Sequence, residues 1–273
     1  MPTKTLPYLE TLEYPRFRDS LPLQQLGELR EGKYVVRFAQ TLEELDEVLK
    51  LRFEVFNLEL GEGLESSFLT GRDQDEYDAT CHHLIVVEAA TQRIVGTYRL
   101  QTGAMAAAAV GFYSATEFDL SRLPLELLED SVELSRACIA KEFRNTQVLF
   151  LLWKGLASYL AFNRKRFLFG CCSLTSQNPE EGKLTMELLE REGYLHDRFF
   201  VSPKAGVECY PAVFGVERPF PVRLPKLFRS YLRIGAKVCG PPAIDRVFKT
   251  IDFFVLFDLF EMDRQSQKLF FGV

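Results

Sequence analysis

The chain has 273 residues and a net charge of −5, with 47% hydrophobic and 26% charged residues. This is ordinary globular composition, sufficient for a sizeable core in one large or two small domains. The acidic balance gives no reason to expect nucleic acid binding. No apolar stretch approaches the roughly 18 residues of a membrane-spanning helix. The six cysteines form no C-x-x-C pair and no secretory leader opens the sequence, so we expect a reducing, cytoplasmic setting.

Taken in chain order, the sequence predicts alternating strands and helices. Residues 1–32 predict an irregular leader, and Tyr34–Phe38 predicts a strand. Thr41, with Glu44 three residues later, forms a capping box that begins a helix, and a Gly- and Asp-rich loop follows over 61–80. Periodicity then predicts strands at 83–88, 93–100, 132–139, 167–172 and 208–216 and helices at 146–163 and 179–192.

This order indicates an α/β (α+β) fold, a mixed twisted sheet with helices on both faces. We predict a core domain over 33–218 and a C-terminal extension over 219–273 packed on it. The extension is basic as far as Lys249, which suits either an acidic protein or an anionic membrane surface, or is an ordinary solvated face. Its apolar run at 251–260 is too short to span a bilayer and is predicted to pack on the core. The 24 phenylalanines fit either a Phe-rich core or a tunnel for a fatty chain.

Several long sequence words narrow the fold and suggest a function. HHLIVVEAATQRIVGTYRL, GFYSATEFDL, ELSRACIA, LLWKGLASYL and LFGCCSLTSQ, in this order, resemble the N-acyltransferase family that makes lyso-ornithine lipid, often labelled hemolysin-like. The resemblance covers roughly residues 33–260. It implies a GNAT-like fold and transfer of a (3-hydroxy)fatty acyl group from acyl carrier protein to the α-amine of ornithine. The core is also similar to N-acyl amino acid synthases and acyl-homoserine lactone synthases, so the alternative is such a synthase with another amine acceptor.

One arginine and an acidic triplet form the first candidate site. Arg52 shares the apolar face of its helix, where an unpaired charge is unfavourable, so it requires a carboxylate partner. The loop offers Asp73, Asp75 and Asp78 in the pattern D-x-D-x-x-D, the spacing that the resemblance implies for the synthases. We predict that Arg52 and Asp73 bind the acceptor. Asp75 or Asp78 is predicted to take its proton, because clustered carboxylates raise one another's pKa. A structural salt bridge and a solvated acidic loop are the alternatives.

The strand at 132–139 supplies a second candidate site. Its Glu133 and Arg136 lie three residues apart and would face opposite sides of a flat strand. The resemblance implies a β-bulge there, which re-aims side chains and frees a backbone N–H for the thioester carbonyl. We predict Glu133 as a catalytic group that orients or deprotonates the amine, and Arg99, Arg136 and His83 as substrate-binding residues. A histidine without a catalytic part is the simpler interpretation of His83.

The stretch from Ala140 to Thr146 bears on the acyl donor. GNAT enzymes that use CoA carry a glycine-rich loop here, whose amides hold the pyrophosphate, whereas this stretch has no glycine. The absence of glycine favours acyl carrier protein over CoA as the donor, because the phosphopantetheine arm of the carrier has a single phosphate. Lys141 and Arg144 are predicted to meet that phosphate or the carrier's acidic helices, unless they are ordinary surface charges.

We therefore predict direct acyl transfer without an acyl-enzyme intermediate. Ser173 and the neighbouring pair Cys171 and Cys172 lack a readable His-plus-acid pattern for nucleophilic catalysis. The three histidines lack metal-ligand spacing, so no metal and no cofactor beyond the carrier's arm are expected. Expected partners are acyl carrier protein, an amino acid and, peripherally, the membrane. The rival class is a non-catalytic, membrane-binding or lytic protein.

Overall fold

The computed structural model describes residues 14–22, 29–216 and 220–271. Its strands are β1 Arg30–Glu31, β2 Tyr34–Phe38, β3 His82–Glu88, β4 Ile94–Thr102, β5 Phe118–Asp119, β6 Ser131–Ile139, β7 Phe167–Leu174, β8 Ser202–Pro203, β9 Lys237–Val238, β10 Ala243–Asp245 and β11 Thr250–Asp258. Its helices are α1 Leu42–Phe53, α2 Ser67–Thr70, α3 Gly103–Ala107, α4 Leu125–Glu129, α5 Thr146–Asn163, α6 Pro179–Arg191, α7 Lys226–Arg233 and α8 Arg264–Phe271. A π-helical turn, Glu54–Leu60, continues α1.

The described strands build one large mixed sheet and a small ribbon. The sheet runs in the order β1-β2-β3-β4-β6-β7-β11-β10, with β9 also paired to β11. Neighbouring strands are antiparallel except β6 and β7, which are parallel. Strands β5 and β8 form the separate ribbon. The predicted mixed sheet is therefore confirmed.

Helices cover both faces of the sheet, as the sequence predicts. Leu84 and Val86 on β3 pack into the core beneath α5, whereas Ile85 and Val87 pack into the core beneath α1. This division follows from the alternation of side chains along a strand. Helix α1 begins at the predicted cap, where Thr41 Oγ1 accepts a hydrogen bond from the backbone N of Glu44 at 3.2 Å.

Strand β6 contains the expected bulge. Tyr98 on β4 lies opposite two residues of β6, Arg136 and Ala137. Arg136 adopts a φ of 50°, in the left-handed region that non-glycine residues rarely occupy. As a result Glu133 and Arg136 both point to Tyr113, the first through a hydrogen bond to its backbone N and the second over its ring.

Strands β6 and β7 stay together for a short distance only. Their pairing spans Ser131–Glu133 on β6 and Phe167–Phe169 on β7. At the next position a Cβ on Gly170 would lie 2.2 Å from the carbonyl oxygen of Leu134, so only glycine fits this close approach. Beyond it the two strands separate, and a gap opens in the middle of the sheet.

The C-terminal part of the chain completes the sheet. Most of the apolar run predicted to pack on the core forms β11, which lies between β7 and β10 and is buried along its whole length, whereas Phe260 at the end of the run is 75% exposed. The strand predicted at 208–216 is wrong: only Glu208 makes an isolated bridge, to Ala243. Pro211 lacks a backbone donor, and Val213 is 95% exposed, so this segment has no strand to pair with and no core to cover.

The proposed domain boundary at residue 218 and parts of the predicted leader lie outside the described residues, as does Arg218 of the basic segment. Of the leader, Arg30–Glu31 forms β1 at the edge of the sheet. Within the part of the chain that the structure describes, no helix is long and apolar enough to cross a membrane.

The close approach at Gly170 gives a stability prediction. Replacing Gly170 with alanine should lower the free energy of unfolding by about 1–3 kcal/mol, because the new Cβ must displace backbone rather than a flexible side chain. Urea denaturation measures this. Gly215→Ala is the matched control, since nothing lies within 4 Å of its Cβ position; its effect should stay within about 0.5 kcal/mol. Equal midpoints for the two variants would contradict the argument.

Candidate active site

Arg52 has the carboxylate partners that its position in an apolar helix face requires. It is fully buried on α1. Its Nε donates to Asp73 Oδ2 at 2.8 Å and its Nη1 donates to Asp78 Oδ1 at 2.6 Å. The predicted pairing of Arg52 with the acidic loop is therefore confirmed.

Two further arginines close a network over the same loop. Arg99 on β4 donates through Nη1 to Asp78 Oδ1 at 2.9 Å and also to Asp75. Arg136 on β6 donates through Nη2 to Asp75 Oδ2 at 3.1 Å. We call this set of three guanidiniums and three carboxylates the Arg–Asp network; its members are Arg52, Arg99, Arg136, Asp73, Asp75 and Asp78. Its formal charges cancel, which is how six ionised groups can share one buried region.

The guanidiniums determine the charge state of the loop. Burial alone would raise the pKa of Asp78, but Arg52 and Arg99 outweigh it and hold that pKa well below its usual range. The prediction that the clustered carboxylates raise one another's pKa is wrong at Asp78, because two arginines contact it. A carboxylate with so low a pKa is a weak base at neutral pH.

Glu133 is occupied by the backbone of a neighbouring turn. Its Oε1 accepts from Ser114 N at 2.6 Å and its Oε2 from Tyr113 N at 2.8 Å. Burial raises the pKa of Glu133, and these hydrogen bonds oppose the shift. Glu133 thus fixes the 3₁₀ turn Tyr113–Thr116 against β6.

The two adjacent histidines face opposite sides of the sheet. His83 Nε2 lies 3.1 Å from the carbonyl oxygen of Asp78, behind the Arg–Asp network, and His82 Nδ1 lies 2.8 Å from the hydroxyl of Tyr159. Burial lowers the pKa of each histidine to about 4, so both are neutral at pH 7.

The gap between β6 and β7 holds a cavity of about 350 Å³ that passes through the sheet. This volume is in the usual range of ligand pockets, about 300–1,000 Å³. The half on the α5 face is apolar, with walls that include Leu156, Leu160, Phe228, Tyr231, Val255 and Phe257. The half on the α1 face contains the polar part of the wall, formed by Glu62, Tyr113, Arg136, Thr175 and Asp252 beside the apolar Phe56, Leu60 and Phe248.

The acidic residues of the polar half were not among the sequence predictions. Glu62 lies in the loop at 61–80, hydrogen-bonded to the Thr175 hydroxyl. Burial raises its pKa to about 6, with the Thr175 hydrogen bond and Arg136 opposing the shift and Asp252 adding to it. A signal for Asp252 was present, since a carboxylate interrupts the apolar run IDFFVLFDLF in the way that Arg52 interrupts an apolar helix face.

Asp252 lies beside two more carboxylates. Glu117, Asp245 and Asp252 each offer an oxygen within 4.8 Å of the others, which makes them the candidate cation ligands in the described part of the chain. We call these three residues the acidic cluster. No spacing in the sequence predicts it, because its members come from β10, β11 and the segment before β5.

Cysteine thiols also line the cavity, on β7. Cys171 and Cys172 are both present in its wall, and burial raises the pKa of each well above the ordinary thiol value. Thiolates are therefore scarce at neutral pH, and these side chains are poor nucleophiles.

The predicted carrier-binding residues lie in the turn before α5. Lys141 and Arg144 are both exposed. Arg144 donates to both carboxylate oxygens of Glu59, at 2.7 and 2.6 Å. Asn145 Oδ1 accepts from Val148 N at 2.9 Å, so the first turn of α5 is capped by its own side chain.

The buried network predicts a large stability effect of Arg52. Arg52→Ala should cost about 3–5 kcal/mol, because Asp73 and Asp78 lose a buried partner. Arg93→Ala, which removes an exposed ion pair to Glu142, should cost about 1 kcal/mol or less. The pKa of Asp78 is lowered on folding, so this pairing stabilises the fold fully above about pH 4 and progressively less below it, and the Arg52→Ala deficit should begin to shrink at pH 3.5. Urea unfolding at pH 7 and pH 3.5 checks both points, and equal effects of the two variants at pH 7 would refute the first.

Comparison with known proteins agrees with this geometry. A profile of the acetyltransferase (GNAT) domain matches residues 51–154. An L-ornithine N(alpha)-acyltransferase of Brucella abortus (strain 2308) is 32% identical over 246 residues, 83% of this chain and 85% of that protein. The protein of the same name from Rhizobium meliloti (strain 1021) is 32% identical over 234 residues, 81% and 78% of the two chains. FeeM, an N-acyl amino acid synthase from uncultured soil microbes, shares the fold with a TM-score of 0.50 and 10% identity, over 87% of this chain and 99% of that chain.

The extent and identity of the match to the Brucella protein decide the family. The chain belongs to the L-ornithine N(alpha)-acyltransferase family, and it is an acyltransferase with the GNAT fold.

Proposed function

We propose that this protein transfers a fatty acyl group, including 3-hydroxyacyl groups, from acyl carrier protein to the α-amine of ornithine. The observation that carries the proposal is the cavity at the β6–β7 gap, apolar on one face of the sheet and carboxylate-bearing on the other. Such a cavity suits two substrates of opposite character that meet in the middle. The names of the relatives supply ornithine as the acceptor.

The apolar half of the cavity accounts for the acyl chain. Helices α5 and α7 and strand β11 supply its walls, through side chains such as Leu156, Phe228 and Val255. Burial of each methylene there contributes about 0.8 kcal/mol, so a long chain binds far better than a short one. The abundance of phenylalanine reflects this wall as well as the general core.

The region before α5 supports a carrier protein as the donor. The cap from Asn145 already satisfies an amide at the start of α5, and the turn that precedes it has no glycine. This helix terminus therefore offers few free backbone amides to bind a pyrophosphate. Lys141 is an exposed cation for a phosphopantetheine phosphate or an acidic carrier surface, whereas Arg144, also exposed, would have to leave Glu59 to take part.

A cytoplasmic protein with peripheral membrane contact belongs to the same proposal. Lys226, Arg229 and Arg233 are exposed on α7, the helix whose Phe228 lines the apolar half of the cavity. Cations beside the acyl end suit the anionic surface into which a lipid product would pass.

We assign the proton transfer to Glu62. It lines the cavity, and its pKa of about 6 makes it a better base near neutral pH than Asp78. Glu62 takes one proton from the acceptor's ammonium. The amine then attacks the thioester carbonyl, whose oxygen is bound by backbone N–H at the β6 bulge.

The rest of the step balances without a cofactor. The new C–N bond forms, the C–S bond breaks, and the electron pair leaves with the pantetheine sulfur. Of the two protons that the nitrogen loses in all, one ends on the thiol and the other in solvent. The raised pKa values of Cys171 and Cys172 support direct transfer rather than an acyl-enzyme.

The predicted roles of the other acids change accordingly. Glu133 is proposed to position the turn that carries Tyr113, since both of its oxygens accept backbone hydrogen bonds. Asp75 and Asp78 are proposed to hold Arg99 and Arg136 in place beside the cavity. These residues are then positioning residues rather than bases.

A purified assay tests the donor and the acceptor together. With 3-hydroxyacyl-carrier protein and ornithine, mass spectrometry should detect an amide-linked acyl-ornithine. Acyl-CoA should support a rate at least ~10-fold lower, because the pyrophosphate lacks its amide cradle. Acylation of glycine, tyrosine or S-adenosylmethionine in place of ornithine would overturn the acceptor assignment, and faster turnover with acyl-CoA would overturn the donor assignment.

The role of Glu62 predicts a pH profile. For the wild type kcat/KM should rise with pH through about 6, since Glu62 accepts a proton only when ionised. Glu62→Gln should lose that rise and lower kcat about 10²- to 10⁴-fold. Glu65→Gln, on the same loop and paired with Lys249 at the surface, is the matched control and should keep the wild-type profile. A Glu62→Gln profile that still rises through pH 6 would assign the base elsewhere.

A further inference from the structure

The acidic cluster contains carboxylate oxygens that have no partner. Glu117 is 4% exposed, and neither of its oxygens accepts a hydrogen bond from the described part of the chain. Asp252 is 3% exposed, and its Oδ2 accepts from Thr250 Oγ1 at 3.0 Å while its Oδ1 accepts nothing. Buried acceptors without a donor are unfavourable, and they are rare in native proteins.

The position of the cluster points to a ligand. Asp252 lines the polar half of the cavity, and Glu117 and Asp245 lie next to it. Carboxylates this close repel one another, and both burial and the neighbouring charges raise the pKa of Glu117 and of Asp252. A proton shared between Glu117 and Asp252 relieves part of this repulsion, and a cation between the carboxylates would take its place and give every oxygen a partner. In the Arg–Asp network guanidiniums play that part by direct contact, whereas in the acidic cluster Arg136 acts only from a distance.

Tyr113 connects the cluster to the guanidinium of the cavity wall. Its ring lies 4.8 Å from Arg136 Cζ, and its hydroxyl donates to Asp245 Oδ2 at 3.5 Å. The guanidinium and the acidic cluster are therefore one tyrosine side chain apart. An amino acid with a carboxylate at one end and a second ammonium at the other would meet both.

We propose that Glu117, Asp245 and Asp252 form the subsite that binds the side-chain ammonium of the acceptor, and that Arg136 binds its α-carboxylate. The inference rests on the proposed function and adds the residues that select a diamino acid over other amino acids. Glu62 then lies beside the remaining, reacting α-amine.

The geometry suits an ammonium. The three oxygens lie within 4.8 Å of one another, so a nitrogen at the centre of the set lies no more than about 2.8 Å from each, within hydrogen-bond reach. The –NH₃⁺ group has three donors and no acceptor, one for each carboxylate. Mg²⁺ and Ca²⁺ take six or more oxygen ligands, so either ion would need several ligands besides these three carboxylates.

The test compares ornithine with norvaline, which has the same carbon chain and no side-chain amine. We expect the wild type to favour ornithine about 100-fold or more in kcat/KM, since binding norvaline leaves the carboxylates unpaired. Asp252→Asn and Glu117→Gln should each lower that ratio at least ~10-fold. Asp258→Asn removes another buried acid of β11, one that pairs with Arg166 rather than with the cluster, and it should leave the ratio unchanged.

A binding readout accompanies the kinetics. Ornithine, but not norvaline, should raise the melting temperature of the wild type, and this shift should disappear in the two cluster variants. Neither variant should melt below the wild type in the absence of ligand, because a neutral amide relieves the repulsion within the cluster. If one variant does not fold, the other still decides the question.

The outcomes separate the two proposals. If neither amino acid is acylated by the wild type, the proposed function fails. If both are acylated with similar kcat/KM, the function stands and the subsite inference is overturned. If EDTA abolishes acylation of ornithine and Mg²⁺ or Ca²⁺ restores it, the cluster is a metal site and the inference is again overturned.

Discussion

The separation of β6 from β7 is the constraint on which the rest of the molecule depends. The two parallel strands share a register for three residues on each strand, and Gly170 permits the close contact with Leu134 at which they part. On the far side of the gap, β11 pairs with all eight residues of β7 and keeps the sheet intact. A cavity can therefore pass through the sheet without dividing the core. One face of the sheet gives it apolar walls, and the other face gives it its polar side chains.

Charge balance distinguishes the two polar clusters beside this cavity. In the Arg–Asp network three guanidiniums meet three carboxylates, so the pKa of Asp78 is lowered and the loop is fixed to β4 and β6. In the acidic cluster no described cation pairs directly with the carboxylates; Arg136 offsets their charge only in part, and the pKa of Glu117 is raised. A balanced buried cluster keeps its charges without a further partner, whereas an unbalanced one must hold a proton or bind a cation.

The sequence predicts those features whose cause lies in neighbouring residues, and those in which a charged residue interrupts an apolar pattern. The cap at Thr41 and the span of α5 follow from neighbouring residues in the chain. Arg52 predicts its carboxylate partners, because an unpaired guanidinium is unfavourable in an apolar helix face. The acidic cluster could not be predicted from the sequence, because it forms only when β11 pairs with β7. That pairing brings Asp252 near Glu117, 135 positions earlier in the chain. The strand predicted at 208–216 failed for the same reason, since local alternation says nothing about whether a pairing partner exists.

The two halves of the cavity also explain how one site could bind both the apolar acyl donor and the charged acceptor of the proposed reaction. In the proposed reaction the acyl chain and the ammonium each bind where their desolvation is least unfavourable, and the sheet keeps them apart except at the gap. In that reaction the amine would lose a proton at the gap, and Glu62, whose pKa burial and Asp252 raise to about 6, is the proposed base. A cation bound at Asp252 would weaken that second influence and lower the pKa of Glu62. An acceptor with a side-chain ammonium would therefore adjust its own base, leaving Glu62 ionised over more of the neutral pH range when the correct amino acid is bound.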